Sequence, residues 1–128
     1  MKILFAAPDR DLLECYKQLF EADLGQTAAA FDGTQALALL SAEDFDIVIL
    51  DRNIPRVDHR KITEHAKSRN IPVIVLTDGS AGALSAEEPR PDGRLSYPFT
   101  YPVIKKTVRD TLRKQAEEER TGQVTADE

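Results

Sequence analysis

Few side chains in this sequence stand where they could do chemistry, and several of those read more simply. Cys15 is the one cysteine, with no disulfide partner in the chain and no nucleophile motif around it. It reads as a small, semi-buried apolar residue of a helix. His59 and His65 lie six apart on one helical stretch, without the acidic or cysteine companions of a metal site. The glycines of "DGSAG" are not followed by the Lys-Ser/Thr of a phosphate-cradling loop. Arg52 and Arg56 in "RNIPR" could meet an anion, but surface charge is their default. What remains is a set of oxygen-bearing side chains that follow apolar runs: Asp9 after "KILFAAP", Asp51 closing "DIVILD", Thr77 closing "IPVIVLT", and Tyr97 after "RLS". Alone, each reads as a turn or cap residue. Brought together, two carboxylates and two hydroxyls offer hydrogen-bond and nucleophile chemistry.

The elements that would position them alternate between two periods. "KILFAA" (2–7), "DIVILD" (46–51) and "IPVIVLT" (71–77) are apolar, mostly branched runs, as in strands covered on both faces. "QTAAAF" is a weaker strand and "RLSYPF" a short last one. Between them, "DLLECYKQLFEAD" places Leu12, Leu13, Tyr16, Leu19 and Phe20 on one helical face, and Gly25 ends that helix. Asp9 and Asp11 read as its caps. "DGTQALALLSAED" and "HRKITEHAKSR" are short helices, the former capped by Asp32 or Thr34. Pro89, Pro91 and Gly93 forbid a long helix between Asp78 and Arg94, leaving at most a turn of helix around Ala83 to Glu88. "TYPVIKKTVRDTLRKQAEEER" is a final helix with Thr100 as its cap, Pro102 in its first turn and a stripe of Val103, Ile104, Val108 and Leu112. Strand and helix alternating in this way predict a parallel sheet with helices on both faces. Ligand sites in such sheets lie at the carboxyl ends of the strands, where Ala7, Pro8, Asp9, Asp51, Thr77, Asp78, Tyr97 and Pro98 fall.

The 128 residues suit one domain, with 41% hydrophobic and 30% charged residues. A net charge of −5 argues against a nucleic-acid binder held by phosphate contacts. The short apolar start breaks at Pro8, too early for a signal peptide or a membrane span, so a cytoplasmic protein is expected.

The run "FDIVILDRNIPRVD", with Asp51, Ile54, Pro55 and Asp58, resembles the phospho-accepting segment of response-regulator receiver domains. "AFDGTQALALL", "IPVIVLT" and "YPF" resemble further parts of that family, in the right order. The resemblance covers about residues 1 to 115, leaving 116–128 as a polar helix end and frayed tail. It implies an α/β, flavodoxin-like doubly wound sheet of five parallel strands in the order 2-1-3-4-5, with the fourth crossover helix short or missing. It also implies roles. Asp51 would be the acceptor that takes a phosphoryl group to form an acyl phosphate. Thr77 would bond the phosphoryl oxygens, and the Asn53 carbonyl would serve Mg²⁺.

The departures from the family pattern carry as much information. The paired acids that help hold Mg²⁺ align with Ala7 and Pro8, the Lys aligns with Tyr97, the inward-turning aromatic aligns with Arg94, and the Gly after Asp58 is His59. The metal oxygens then fall to Asp51, Asn53 and Asp9, a set expected to be impaired, so no cofactor is expected beyond weak Mg²⁺. In such a pocket Asp51 could remain ionised and accept hydrogen bonds from Thr77 or Tyr97. The expected function is a two-component or phosphorelay signalling module. It is expected not to be an enzyme, to carry no output domain after the last helix, and to act by phosphorylation-independent binding of a protein. A kinase, an effector or a second copy would engage the last helix and last strand; no nucleic acid or membrane is expected. The alternative is a phospho-acceptor using Asp51 with weak or altered Mg²⁺ dependence. A flavodoxin-like small-molecule binder is disfavoured, because "APDRD" offers no phosphate loop.

Overall fold

A computed structural model describes residues 1–78 and 90–126, with side chains described as far as residue 119. Its elements are β1 (Lys2–Ala6), α1 (Arg10–Asp23), β2 (Gln26–Ala30), α2 (Gly33–Ala42), β3 (Ile47–Asp51), α3 (His59–Ser68), β4 (Val73–Thr77), β5 (Gly93–Ser96) and α4 (Tyr101–Ala126). The five strands form one sheet in the order β2-β1-β3-β4-β5, and every neighbouring pair is parallel. The expected turn of helix around Ala83 to Glu88 falls outside the described residues.

The apolar runs are continuous because each central strand is covered twice. Side chains alternate across a strand, so each run divides between two cores. Leu4, Ala6, Val48, Leu50, Val73 and Val75 pack with residues of α2 and α3. Ile3, Phe5, Ile47, Ile49, Ile74 and Leu76 pack with α1 and α4. Of the two edge strands, β2 buries only Thr27 and Ala30, and β5 alternates between half-buried and exposed residues. They are correspondingly the weaker patterns in the sequence.

Helix starts follow the capping rule. Asp9 accepts from the amides of Asp11 (3.0 Å) and Leu12 (3.2 Å), so Asp11 lies in the first turn of α1 rather than at its cap. Asp32, not Thr34, caps α2 through the Gln35 amide at 2.8 Å. Asp58 caps α3, which makes His59 the first helical residue. No glycine is needed there, because the left-handed residue of that loop is Arg56, at φ 76°. Gly25 ends α1 at φ 153°, where its missing Cβ leaves room for the Met1 backbone.

Several local expectations are corrected. The buried face of α1 is Leu13, Tyr16 and Phe20; Leu19 is exposed and Leu12 half-buried, because the helix meets the sheet along a narrower stripe than the run of leucines suggests. Cys15 is exposed on the outer side of the same helix. Val103 is also exposed, and Ile104 and Val108 carry the packing of α4. Gly93 belongs to β5, which stops at Ser96 before Tyr97 and Pro98. A Cβ at Gly93 would lie 2.9 Å from Thr111 Oγ1 of α4, so its small size seats the helix on the strand. Helix α4 runs to Ala126, past the expected end of regular structure, since no proline follows Pro102 to break its backbone bonds. Among the described residues, no helix is long and apolar enough to cross a membrane.

Candidate functional site

The carboxyl ends of β1, β3 and β4, with the residues that follow β5, meet at one rim of the sheet. Ala7 follows β1, is fully buried, and donates its amide to the Ala30 carbonyl at 3.0 Å. Pro8 beside it is exposed. Neither brings a side-chain oxygen to the rim.

Asp51 ends β3 and is only 7% exposed. Both of its carboxylate oxygens accept hydrogen bonds. The Asn53 amide donates to Oδ1 at 2.7 Å, and the Tyr97 hydroxyl donates to Oδ2 at 2.8 Å. Of the two hydroxyls expected near Asp51, Tyr97 is therefore the one that bonds it. The Thr77 hydroxyl pairs instead with Ser96 Oγ at 3.1 Å, across the β4–β5 register pair Thr77↔Ser96. Thr77 is thus engaged with a strand neighbour, a partnership the sequence reading missed.

The Tyr97 proton is held well above the ordinary phenol range. Burial is the main cause; the charge of Asp51, the hydrogen bond to it and the charge of Asp9 push the same way. At neutral pH this hydroxyl is a donor, and a neutral one, where a lysine would bring a full positive charge.

The oxygens expected to hold Mg²⁺ are partly engaged within the protein. Asp51 spends both oxygens on protein donors, and Asp9 Oδ1 caps α1. Asp51 and the Asn53 carbonyl would offer Mg²⁺ one carboxylate and one carbonyl, with water completing its octahedral shell. Among the described residues no three or more His, Cys, Asp or Glu side chains gather at metal-binding distance.

Arg94, the position aligned with the family aromatic, is exposed on β5. Aromatic side chains lie instead behind Tyr97. Its ring stacks on Phe99 with centroids 5.1 Å apart, and Phe99 meets Tyr16 of α1 at 5.5 Å. The crowding of aromatics at Tyr97, Phe99 and Tyr101 was the signal for this cluster in the sequence.

Residues 3–121 match the family model for the response regulator receiver domain. The chain belongs to that family. This receiver domain is 38% identical over 90 residues to the sensor histidine kinase RcsC of Escherichia coli, covering 65% of the chain and 9% of that protein. It is 25% identical over 130 residues to the response regulator MprA of Mycolicibacterium vanbaalenii, covering 98% of the chain and 56% of that protein. It thus spans little more than half the length of one relative and a small part of the other. Among solved structures it is similar to the receiver domain of the Francisella response regulator 1452, with a TM-score of 0.75 at 25% identity, covering 88% of this chain and 97% of that one. The signal receiver domain of a signal transduction histidine kinase from Syntrophus aciditrophicus gives 0.73 at 26% identity, over 88% and 90% of the two chains. The chain is therefore a receiver domain of two-component signal transduction, a family of signalling modules.

Proposed function

We propose that this receiver domain acts as a phosphorylation-independent protein-interaction module, with Asp51 kept as the acceptor of the Tyr97 hydroxyl. The hydrogen bond between Tyr97 and Asp51 carries this reading. Phosphoryl transfer to a carboxylate depends on positioning and on neutralising the charge of the incoming group. Among the described residues the rim supplies no lysine and no acid pair after β1, and the acceptor's oxygens accept from Asn53 and Tyr97. Loss of one comparable electrostatic donor costs on the order of 10² to 10³ in rate. The same features make the rim a stable structural element without a metal.

The partner is another protein, engaged through the face of β5 and α4. Arg94, Ser96 and Val103 are exposed there, and Val103 is one of three large hydrophobic side chains exposed among the described residues. The relatives include a sensor histidine kinase and a response regulator, which supports a kinase or an effector of a phosphorelay as the partner class.

The test is intact-mass analysis after incubation with a small acyl-phosphate donor, with and without Mg²⁺. The wild-type chain and Asp51→Asn are each expected to keep their unmodified mass. A stoichiometric phosphate adduct that disappears in Asp51→Asn would sink the proposal.

A further inference from the structure

The sheet has a second edge at β2, on the side opposite β5. The Ala7 amide donates to the Ala30 carbonyl, and the register sets Ile3 beside Thr27 and Ala6 beside Ala30. A parallel ladder engages alternate residues of a strand. Gln26, Ala28 and Ala30 therefore turn their backbone groups to β1, and the amides and carbonyls of Thr27 and Ala29 point away from the sheet. The edge is closed at its two ends. Thr27 Oγ1 donates to the Gly25 carbonyl at 3.4 Å, and the Phe31 amide donates to Gln35 Oε1 at 3.0 Å. Between them, among the described residues, the Thr27 and Ala29 backbone groups have no partner. The Thr27 side chain is buried, and what stays open of this residue lines a groove of about 280 Å³ with Gln26, Ala28, Lys2, Glu21 and Glu43. Edge strands are usually blunted by a charge, a proline or a bulge, and β2 carries none of these.

The helices flanking this edge match a copy of themselves. Arg10, Glu14, Lys17 and Glu21 lie three or four residues apart, on one stripe of α1. The stripe runs along β2, since Arg10 lies over the Phe31 ring at 4.1 Å and Glu21 borders the groove at Gln26 and Thr27. Its midpoint, between Glu14 and Lys17, is thus level with Ala28. Among the described residues Glu14, Lys17 and Glu21 form no ion pair. A two-fold axis normal to the sheet at Ala28 sets two β2 strands antiparallel. Thr27 then faces Ala29 of the second copy, and the two exchange amide–carbonyl bonds. The same axis places Arg10 opposite Glu21 of the second copy and Glu14 opposite its Lys17, so every charge of the stripe meets its opposite. On the other face of the sheet, Leu39 is half-buried beside Ala28. It lies between Gln35, bonded at Phe31, and Glu43, at the groove, which brings it level with the axis and against Leu39 of the second copy. An isologous interface requires this self-complementarity.

We propose that two copies of this chain join edge to edge through β2 into one continuous sheet. The contact lies on the far side of the sheet from β5 and leaves α4 free for the partner proposed above. It depends neither on that partner nor on the state of Asp51.

Sedimentation equilibrium of the whole chain is expected to show a reversible dimer. Lys17→Glu sets like charges across the axis on both sides and should weaken association about tenfold, as should Glu14→Lys. Glu14→Lys combined with Lys17→Glu exchanges the charges and should restore association to the wild-type level. Ala29→Pro removes an outward amide while leaving the bonds to β1, and should abolish the dimer. Amide exchange resolved by residue gives the register: Thr27 and Ala29 should slow as the chain dimerises, while Ala28 and Ala30 are protected in both states. A chain that stays monomeric at every concentration overturns the proposal. So does a dimer that the single charge reversals leave unchanged, or one in which Thr27 and Ala29 exchange as fast as in the monomer. Glu14 is exposed and Lys17 half-exposed on α1, so the charge variants decide the matter even where Ala29→Pro does not fold.

Discussion

Tyr97 Oη lies 2.8 Å from Asp51 Oδ2, although 46 residues separate them in the chain. One follows β5 and the other ends β3, with β4 between them in the sheet. The parallel order of strands brings both to the same rim, and the bond there decides what the rim can do.

Deleting the Tyr97 hydroxyl leaves a buried carboxylate oxygen without its donor. Tyr97→Phe is expected to lose about 1–3 kcal/mol of stability, since a buried polar group left unpaired costs more than the bond itself contributed. Urea denaturation measures it. Combining Tyr97→Phe with Asp51→Leu should recover only part of the loss, because the Asn53 amide then loses its acceptor. A Tyr97→Phe variant as stable as wild type would show that the bond is not needed.

Restoring the missing charges should restore the chemistry implied by the family pattern. The combined change Ala7→Asp, Pro8→Asp and Tyr97→Lys is expected to gain Mg²⁺-dependent phosphorylation of Asp51 by a small acyl-phosphate donor. Each group should contribute on the order of 10² in rate. Intact-mass kinetics with and without Mg²⁺ would report it. A folded triple variant that takes up no phosphate would mean that a different feature of the rim blocks the acceptor.

Alkaline pH should loosen the fold through its tyrosines. Burial, followed by the hydrogen bond to Asp23 and its charge, raises Tyr101 from 10.0 to about 12, while Arg109 pulls weakly the other way. The folded state therefore holds this proton more tightly than the unfolded chain. That contribution is fully present below pH 10.0 and is lost as pH rises through about 12. Tyr97 shifts in the same direction. Urea midpoints measured across this range should fall, and Tyr101→Phe should flatten the fall. A midpoint independent of pH from 10.0 to about 12 would contradict the assignment.

The loop after Asp51 is docked on the start of α2. The Gly33 amide donates to the Pro55 carbonyl at 2.8 Å, and a Cβ at Gly33 would lie 2.6 Å from Val57 Cβ and 2.8 Å from its carbonyl oxygen. Gly33→Ala is expected to cost about 1–3 kcal/mol, the usual range for overpacking. Val57→Gly, added to it, should relieve only part of the loss, because backbone atoms of residue 57 remain in the way. Thermal or urea unfolding of the two variants checks this.

Much of the fold was legible because its central strands are covered on both faces. "KILFAA", "DIVILD" and "IPVIVLT" are apolar on both sides, and their alternation with helical patterns called for a doubly covered parallel sheet. The edge strands were harder to bound. Gly93 looked like loop, and only the contact of β5 with α4 shows why a residue without a side chain begins that strand. The outer turns of α1 were misjudged for a related reason. Leucine spacing marks a helix face, but the neighbouring helix decides how wide a stripe is buried, and Leu19 falls outside it.

The residues alone fixed the succession of strands and helices along the chain and the identity of the side chains at the rim, including the absence of acids at Ala7 and Pro8. These depend on periodicity and on residue type, which are local. Tertiary structure alone decided which hydroxyl serves Asp51. Thr77 and Tyr97 were equal candidates in the sequence, since both follow strands. Thr77 faces Ser96 across the β4–β5 ladder and is satisfied there, whereas the longer Tyr97 side chain reaches across β4 to the carboxylate. Reach and register, set by strands far apart in the chain, made that choice.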